Sequence, residues 1–163
     1  MDRHLDCAST GPFFLRQAAV ARLVVDSLYR GVALGHYDLG AFVVMANHVH
    51  ILLLPKISPS RLLQSMKGFT ARQANLILNR TGEPFWQAES YDHWVRNEPE
   101  YFRIAAYIEN NPVQAGLVER AEDFSWSSAH ANERGVHSKK RLDTSVEAAD
   151  TSVCATNLIQ KLL

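Results

Sequence analysis

The chain has 163 residues, enough for one domain with a proper hydrophobic core. Its 17 basic and 17 acidic side chains balance, which argues against a strongly basic nucleic-acid binder. The sequence has no apolar run long enough for a transmembrane helix and no signal-peptide pattern at its N-terminus. Its two cysteines, Cys7 and Cys154, lie far apart, as is typical of a reducing compartment. We therefore expect a cytoplasmic protein with no membrane contact.

The first predicted element is a helix. Residues 1–12 are polar and predict irregular structure. From Phe13 to about Arg30 apolar residues recur at helical spacing, and Gly31 follows as a C-terminal signal. The apolar stripe that we expect to face the core consists of Val20, Leu23, Val24 and Leu28.

The stretch Tyr37–Pro55 predicts two apolar strands separated by a tight break at Ala46-Asn47. His48 and His50 begin the second strand, and alternate side chains of a strand lie on the same face. Two neutral imidazoles about 6–7 Å apart on one face can share a divalent metal ion. The ordinary alternative is a pair of partly exposed histidines with ordinary hydrogen bonds.

A second helix is predicted from Ser60, a favoured N-cap, to about Asn79. Apolar residues mark its expected buried face: Leu62, Met66, Phe69 and Leu76. Small, polar and basic residues follow the opposite stripe: Arg61, Ser65, Gly68, Arg72, Asn75 and Asn79.

Basic residues without acidic neighbours characterise the segment from Lys56 to Gly82. Such a helical face suits a phosphate backbone, because Lys and Arg release counterions and Gly permits close approach. The alternative is the charged outer face of any amphipathic helix. The candidate DNA-binding residues are Arg61, Lys67, Arg72 and Arg80.

A loop, a strand and a third helix are predicted next. In the loop, the Phe85-Trp86 pair either covers the core or stacks on bases. A strand is predicted over Glu89–Arg96, with Tyr91 and His93 on one face. The helix then begins at Asn97, an N-cap completed by a capping box.

This third helix carries Tyr101 on its apolar stripe and is expected to end at Pro112. A tyrosine on such a stripe is usually a core residue. Its phenol, however, lies in the first turn, where the helix N-terminus favours anions.

The end of the chain lacks a clear pattern. Residues 124–128 predict a packed aromatic hook, and the sequence becomes polar from about Asn132. We therefore predict one domain over residues 1–131 and a divergent, flexible tail over 132–163, with a short helical turn at its end.

Several blocks of sequence, taken together, resemble the REP-associated tyrosine transposases, a branch of the single-tyrosine HUH transposases of the insertion sequence 200-like family. The resemblance covers roughly Gly11 to Ala129. The blocks that carry it are ANHVHILLLP, FWQ, SYDHWVRNEPEY, YIENNPVQAGLV and WSS.

The resemblance implies an active site. His48 and His50 match the HUH pair, and Tyr101 matches the nucleophile, with Tyr107 as the competing tyrosine. It also implies a cofactor, Mg²⁺ or Mn²⁺. The implied reaction is cleavage and rejoining of single-stranded DNA beside palindromic hairpins, through a 5′-phosphotyrosine intermediate. The implied assembly is a monomer or a homodimer.

The resemblance also implies an α+β fold, a ferredoxin-like antiparallel sheet with helices on one face. Family members generally begin with a strand that takes a central place in this sheet. Here about a dozen polar residues precede the first helix, so the first strand is expected to be missing or replaced.

A second departure concerns the metal site. In related transposases a polar side chain one helical turn after the tyrosine completes the site, and the residue one turn after Tyr101 is Ala105. A third ligand must then come from elsewhere, and the candidates are Glu89, His93 or a water molecule.

Two alternative functions stand beside the transposase. The first is a truncated or domesticated DNA-binding protein that holds hairpins but does not cleave them. The second is a metal-dependent hydrolase of small substrates, in which the tyrosine is structural.

Overall fold

The computed structural model describes residues 11–88, 91–133 and 155–161. A short 3-10 turn precedes the first helix. The helices are α1 (Ala18–Ala33), α2 (Pro59–Ile77), α3 (Glu98–Gln114) and α4 (Ser128–Glu133). The strands are β1 (Tyr37–Val44), β2 (His48–Pro55), β3 (Tyr91–Val95) and β4 (Ala155–Lys161). None of the helices in these ranges combines the length and the apolar character needed to cross a membrane.

The four strands form one antiparallel sheet in the order β1-β2-β4-β3. β1 and β2 form a hairpin in which Val43 is the partner of His50 and Val44 is the partner of Val49. The register shifts between Leu39 and Ala41, so β1 carries an irregularity at Gly40. The predicted α+β class and antiparallel sheet are confirmed.

The two faces of the sheet carry separate cores, because successive side chains of a strand alternate. One core joins α1 and α2 to strand residues such as Phe42, Ile51 and Leu53. The other joins α3 to Val43 and Leu52. The prediction of helices on one face is therefore correct for α1 and α2 and wrong for α3, whose apolar stripe covers the opposite face.

β4 fills the central place that the sequence left open. It pairs with β2 on one side and with β3 on the other, both antiparallel. The expected helical turn at the chain end is wrong for residues 155–161, which form this strand. Residues 11–17 contain no strand, and residues 1–10 lie outside the described ranges.

Two helices end later than predicted. α1 continues through Gly31 to Ala33, because Gly31 serves packing: a Cβ there would lie 2.3 Å from the hydroxyl of Tyr37. α3 continues past Pro112, and Gly116, with a φ of 69°, ends it. The amide of Leu117 donates to the carbonyl of Pro112 over 2.9 Å, as in a Schellman cap.

The buried face of α2 differs from the prediction. Leu62 is buried as expected, but Phe69 and Leu76 are exposed. Thr70 and Ala74 take their place toward the core, so the buried stripe is rotated toward smaller side chains. Small residues suit this face because α2 packs beside α1.

The Tyr37 contact gives a stability prediction. The Tyr37 hydroxyl donates to the carbonyl of Leu28 over 2.7 Å, and burial raises the pKa of Tyr37 to about 12. Gly31→Ala would push a methyl group into this phenol. We expect it to lower the free energy of unfolding by about 1–3 kcal/mol, measured by urea denaturation.

Gly68→Ala is the matched control, since Gly68 lies within α2 and nothing approaches its Cβ position within 4 Å. This change should raise the free energy of unfolding by about 0.5–1 kcal/mol, because Ala is the better helix former. Equal effects of the two substitutions would contradict the packing role of Gly31.

Candidate active site

His48 and His50 project from β2 toward α3. Their ring centroids are 4.9 Å apart, and the rings are 2% and 0% exposed. The intervening Val49 packs into the opposite core. The predicted common face is therefore present, and the rings are buried, unlike the partly exposed pair of the ordinary alternative.

Asn47 fixes the orientation of the first histidine. The Nδ1 atom of His48 lies 2.8 Å from the carboxamide oxygen of Asn47. Because that oxygen accepts, Nδ1 carries the proton and Nε2 holds the lone pair, which is the form in which imidazole binds metals. The buried Asn47 is a positioning residue that the sequence analysis treated only as part of a turn.

Tyr107, on α3, contacts the second histidine. Its ring packs edge-to-face with the ring of His50, with centroids 6.2 Å apart. The residue is half-buried. The competing tyrosine is thus the one in ring contact with His50.

Tyr101 lies elsewhere over the sheet. It is 6% exposed and belongs to the core between α3 and the sheet. A Cβ built on Gly40 would lie 2.1 Å from the Tyr101 hydroxyl and 3.2 Å from the carbonyl of Leu52. Leu52 is two residues beyond His50 along β2, about 6–7 Å away. The geometry favours the core interpretation for Tyr101.

Asn111 lies one helical turn after Tyr107 on α3. It is buried to 2% exposure, and its amide nitrogen has no hydrogen-bond partner within the described residues. A buried, unsatisfied amide is costly and calls for an explanation. The polar position that appeared to be lost at Ala105, counted from Tyr101, is therefore present when counted from Tyr107.

Neither candidate third ligand, Glu89 or His93, is found beside the histidine pair among the described residues. Glu89 lies outside the described residues. The Nε2 atom of His93 is 3.2 Å from a carboxylate oxygen of Glu100, in the first turn of α3. His93 lies on β3, and β4 lies between β3 and the histidine strand β2. The axes of β2 and β3 are therefore about 10 Å apart, and His93 does not reach His48 or His50. Within the described residues no three His, Cys, Asp or Glu side chains form a metal cluster.

Two of the four candidate DNA-binding residues are exposed on α2, Arg61 and Arg72. The ammonium of Lys67 instead donates to the carbonyls of Gln87 and Ala88, over 2.7 and 3.0 Å, and burial lowers its pKa. The guanidinium carbon of Arg80 lies 4.3 Å from the ring centroid of Phe14. Lys67 and Arg80 therefore make internal contacts.

The aromatic pair of the predicted loop belongs to the core. Phe85 and Trp86 are buried, and the indole nitrogen of Trp86 donates to the hydroxyl of Thr70 over 2.8 Å. Of the two interpretations of this pair, covering the core is correct. Base stacking is excluded because neither ring is available to a ligand.

Ser128 fastens α3 to the sheet beside the histidines. Its hydroxyl accepts from the amide of Phe42 over 3.1 Å and donates to the carboxylate of Glu109 over 2.9 Å. Glu109 lies between Tyr107 and Asn111 on α3. The WSS block thus holds the helix at the site, a role that its sequence alone did not reveal.

The fold and the site define a protein with a histidine pair on a central strand and a tyrosine helix crossing it. The family model of the IS200-like transposases matches residues 28–111, so the chain belongs to that family. This confirms the resemblance on which the sequence analysis rests.

One relative is described as a REP-associated tyrosine transposase of Haemophilus influenzae. It is 28% identical over 105 residues, which cover 58% of this chain. The match spans 60% of the relative's own length. No solved structure matches the chain.

The Ser128 contacts lead to a prediction about the helix at the site. Ser128→Ala should lower the free energy of unfolding by about 1–3 kcal/mol, because it removes a hydroxyl bonded to the buried amide of Phe42 and to the half-buried Glu109. Chemical denaturation measures this change. Ser65→Ala, on the exposed face of α2, is the matched control and should change stability by less than about 0.5 kcal/mol. A Ser128→Ala chain as stable as the control would contradict the fastening role.

Proposed function

We propose that this protein is a metal-dependent transposase that cleaves and rejoins single-stranded DNA through a 5′-phosphotyrosine. The observation that carries the proposal is the ring contact between Tyr107 and His50, one imidazole of the pair. The buried Asn111 follows Tyr107 by one helical turn on α3. Membership in the IS200-like transposases supports the same chemistry.

The residues fit a divalent cation. His48 presents Nε2, because Asn47 engages Nδ1, and His50 lies 4.9 Å away between ring centroids. Asn111 can turn its carboxamide oxygen toward a cation, since the two ends of an amide differ only by rotation. Two imidazoles and one carboxamide leave positions for water and phosphate oxygens, which suits Mn²⁺ or Mg²⁺. When bound, the cation would polarise the phosphate and offset its charge.

In the proposed reaction, Tyr107 is the nucleophile. Its phenolic oxygen attacks phosphorus as it loses its proton, and the bond between phosphorus and the 3′ oxygen breaks. The departing oxygen takes up a proton and leaves as a 3′-hydroxyl. One phosphate ester replaces another, so a different 3′-hydroxyl can reverse the step and rejoin strands without an external energy source.

The proposed substrate is single-stranded DNA beside a palindromic hairpin. Arg61 and Arg72 support backbone contact, because both are exposed on one side of α2. In a regular helix they are about 16 Å apart along the axis and within about 20° around it. Lys67 and Arg80 are left out of this proposal, since their charged groups contact the protein itself.

The nucleophile is tested by matched tyrosine substitutions. With labelled hairpin-flanked single-stranded DNA and Mn²⁺, we expect wild type to form a covalent adduct on denaturing gels. Tyr107→Phe and His48→Ala should form none, because one lacks the attacking oxygen and the other a metal ligand. Tyr101→Phe should retain the adduct, since only a core hydroxyl is removed.

The opposite pattern would assign the chemistry to Tyr101. DNA binding without any adduct in wild type would favour the non-cleaving DNA-binding protein. Turnover of a small phosphodiester without an adduct would favour the hydrolase.

The metal site is tested with neighbouring asparagines. Asn111→Ala should weaken Mn²⁺ binding by about 10–100-fold, the usual range for losing an important group around a metal. Asn110→Ala should leave it unchanged, because Asn110 is exposed on the same helix. Isothermal titration calorimetry measures both, and equal affinities in the two variants would remove Asn111 from the site.

A further inference from the structure

The strand β4 has an unusual place in the chain and in the sheet. It comes from the C-terminal end, yet it lies between β2 and β3. His50 is the Cα partner of Ile159, which is also the Cα partner of Tyr91. A row of paired residues therefore crosses the sheet from His50 on β2, through Ile159 on β4, to Tyr91 on β3.

β3 is joined to the rest of the sheet through β4. Neighbouring strands lie about 4.7–4.9 Å apart, so the inserted strand holds β3 about 10 Å from β2. β3 in turn leads directly into α3. A carboxylate oxygen of Glu100 accepts from the amide of Arg96 over 2.8 Å, and the side chain of Asn97 accepts from the amide of Glu100 over 2.9 Å.

These contacts link the start of α3 to the end of β3. α3 then crosses β1 and β2 on the histidine face and carries Tyr107 to His50. The position of the nucleophile is therefore set at one end by β3, and the position of β3 is set by β4. Ser128 sets the other part of the helix through Glu109.

We propose that residues 155–161 form a positioning strand, contributed by the same chain, that sets the distance between the histidine pair and the tyrosine helix. This inference rests on the proposed function. Without the strand, β2 and β3 would each expose an unpaired edge, which strongly favours pairing with another strand. β3 would pair directly with β2 and move the start of α3 by about one strand spacing, ~4.8 Å. A misplacement of about 1 Å can already cost 10²-fold in rate.

The placement is tested by a disulfide in the full chain. Trp94 and Thr156 are Cα partners, and Trp94 is half exposed. In a background of Cys7→Ser and Cys154→Ser, the pair Trp94→Cys and Thr156→Cys should form a disulfide within one chain. Non-reducing gels and thiol counting detect it. The control pair, Trp94→Cys and Gln160→Cys, should keep both thiols, because the two positions are four residues apart in register, beyond the reach of a disulfide.

Two results would overturn the placement. Free thiols in the Trp94 and Thr156 pair would mean that the strand does not lie beside β3. A disulfide between two chains would mean that the strand comes from a second copy.

The functional part of the inference is tested by Mn²⁺ affinity and by the DNA adduct. The oxidised chain should keep the wild-type values of both, because the disulfide holds the strand where it belongs. Leu158→Pro should form less than about one-tenth of the wild-type adduct, since proline removes a ladder hydrogen bond from a central strand. Leu158→Val, a residue favoured in strands, should match wild type.

Each outcome bears on one claim. Loss of the adduct in the oxidised chain, or an unchanged adduct in Leu158→Pro, would overturn the positioning role. If Leu158→Pro does not fold, the positioning role is tested by the Mn²⁺ affinity and the DNA adduct of the oxidised chain. Absence of Mn²⁺ binding and adduct in wild type would instead overturn the proposed function, while the disulfide result would still report where the strand lies.

Discussion

The alternation of side chains along β2 is the constraint on which the rest of the structure depends. Val49, Ile51 and Leu53 enter the core under α1 and α2, and this fixes the face on which His48 and His50 must lie. A shift of one residue in register would turn the histidines into that core and turn the three apolar side chains toward α3. The apolar side chains of β2 thus determine the face of the sheet on which the histidine site can form.

α3 completes the site because it meets this strand from the opposite face. Its buried stripe places Tyr101 against Gly40 and brings Tyr107 against His50. Three links hold it there: the capping contacts at β3, the Ser128 contacts with Phe42 and Glu109, and the core around Ile104 and Ile108. The site is therefore a product of how the helix is fastened rather than of any single motif.

Much of the fold could be predicted because local patterns agree with it: the strand pair, the three long helices and the N-cap at Asn97. The reciprocal bond of the predicted capping box differs, since the carboxylate of Glu100 accepts from the amide of Arg96. The end of α1 was predicted too early at Gly31. A glycine that ends a helix and a glycine that makes room for a neighbouring phenol cannot be distinguished by sequence. The place of β4 could not be predicted, since pairing between distant segments leaves little local trace. The histidine pair was evident from alternation, but the choice between Tyr101 and Tyr107 depends on the angle at which α3 crosses the sheet. The buried Asn111, one turn after Tyr107, was the signal in the sequence that could have favoured the second tyrosine.

We propose that Tyr107 becomes covalently linked to DNA beside the histidine pair. Tandem mass spectrometry of the trapped adduct, after digestion with trypsin and nuclease, identifies the linked residue. Cleavage after Arg96, Arg103 and Arg120 separates the two tyrosines into different peptides, 97–103 and 104–120. We expect a nucleotide mass on Tyr107, in the second peptide. A nucleotide on Tyr101, in the first, would contradict it.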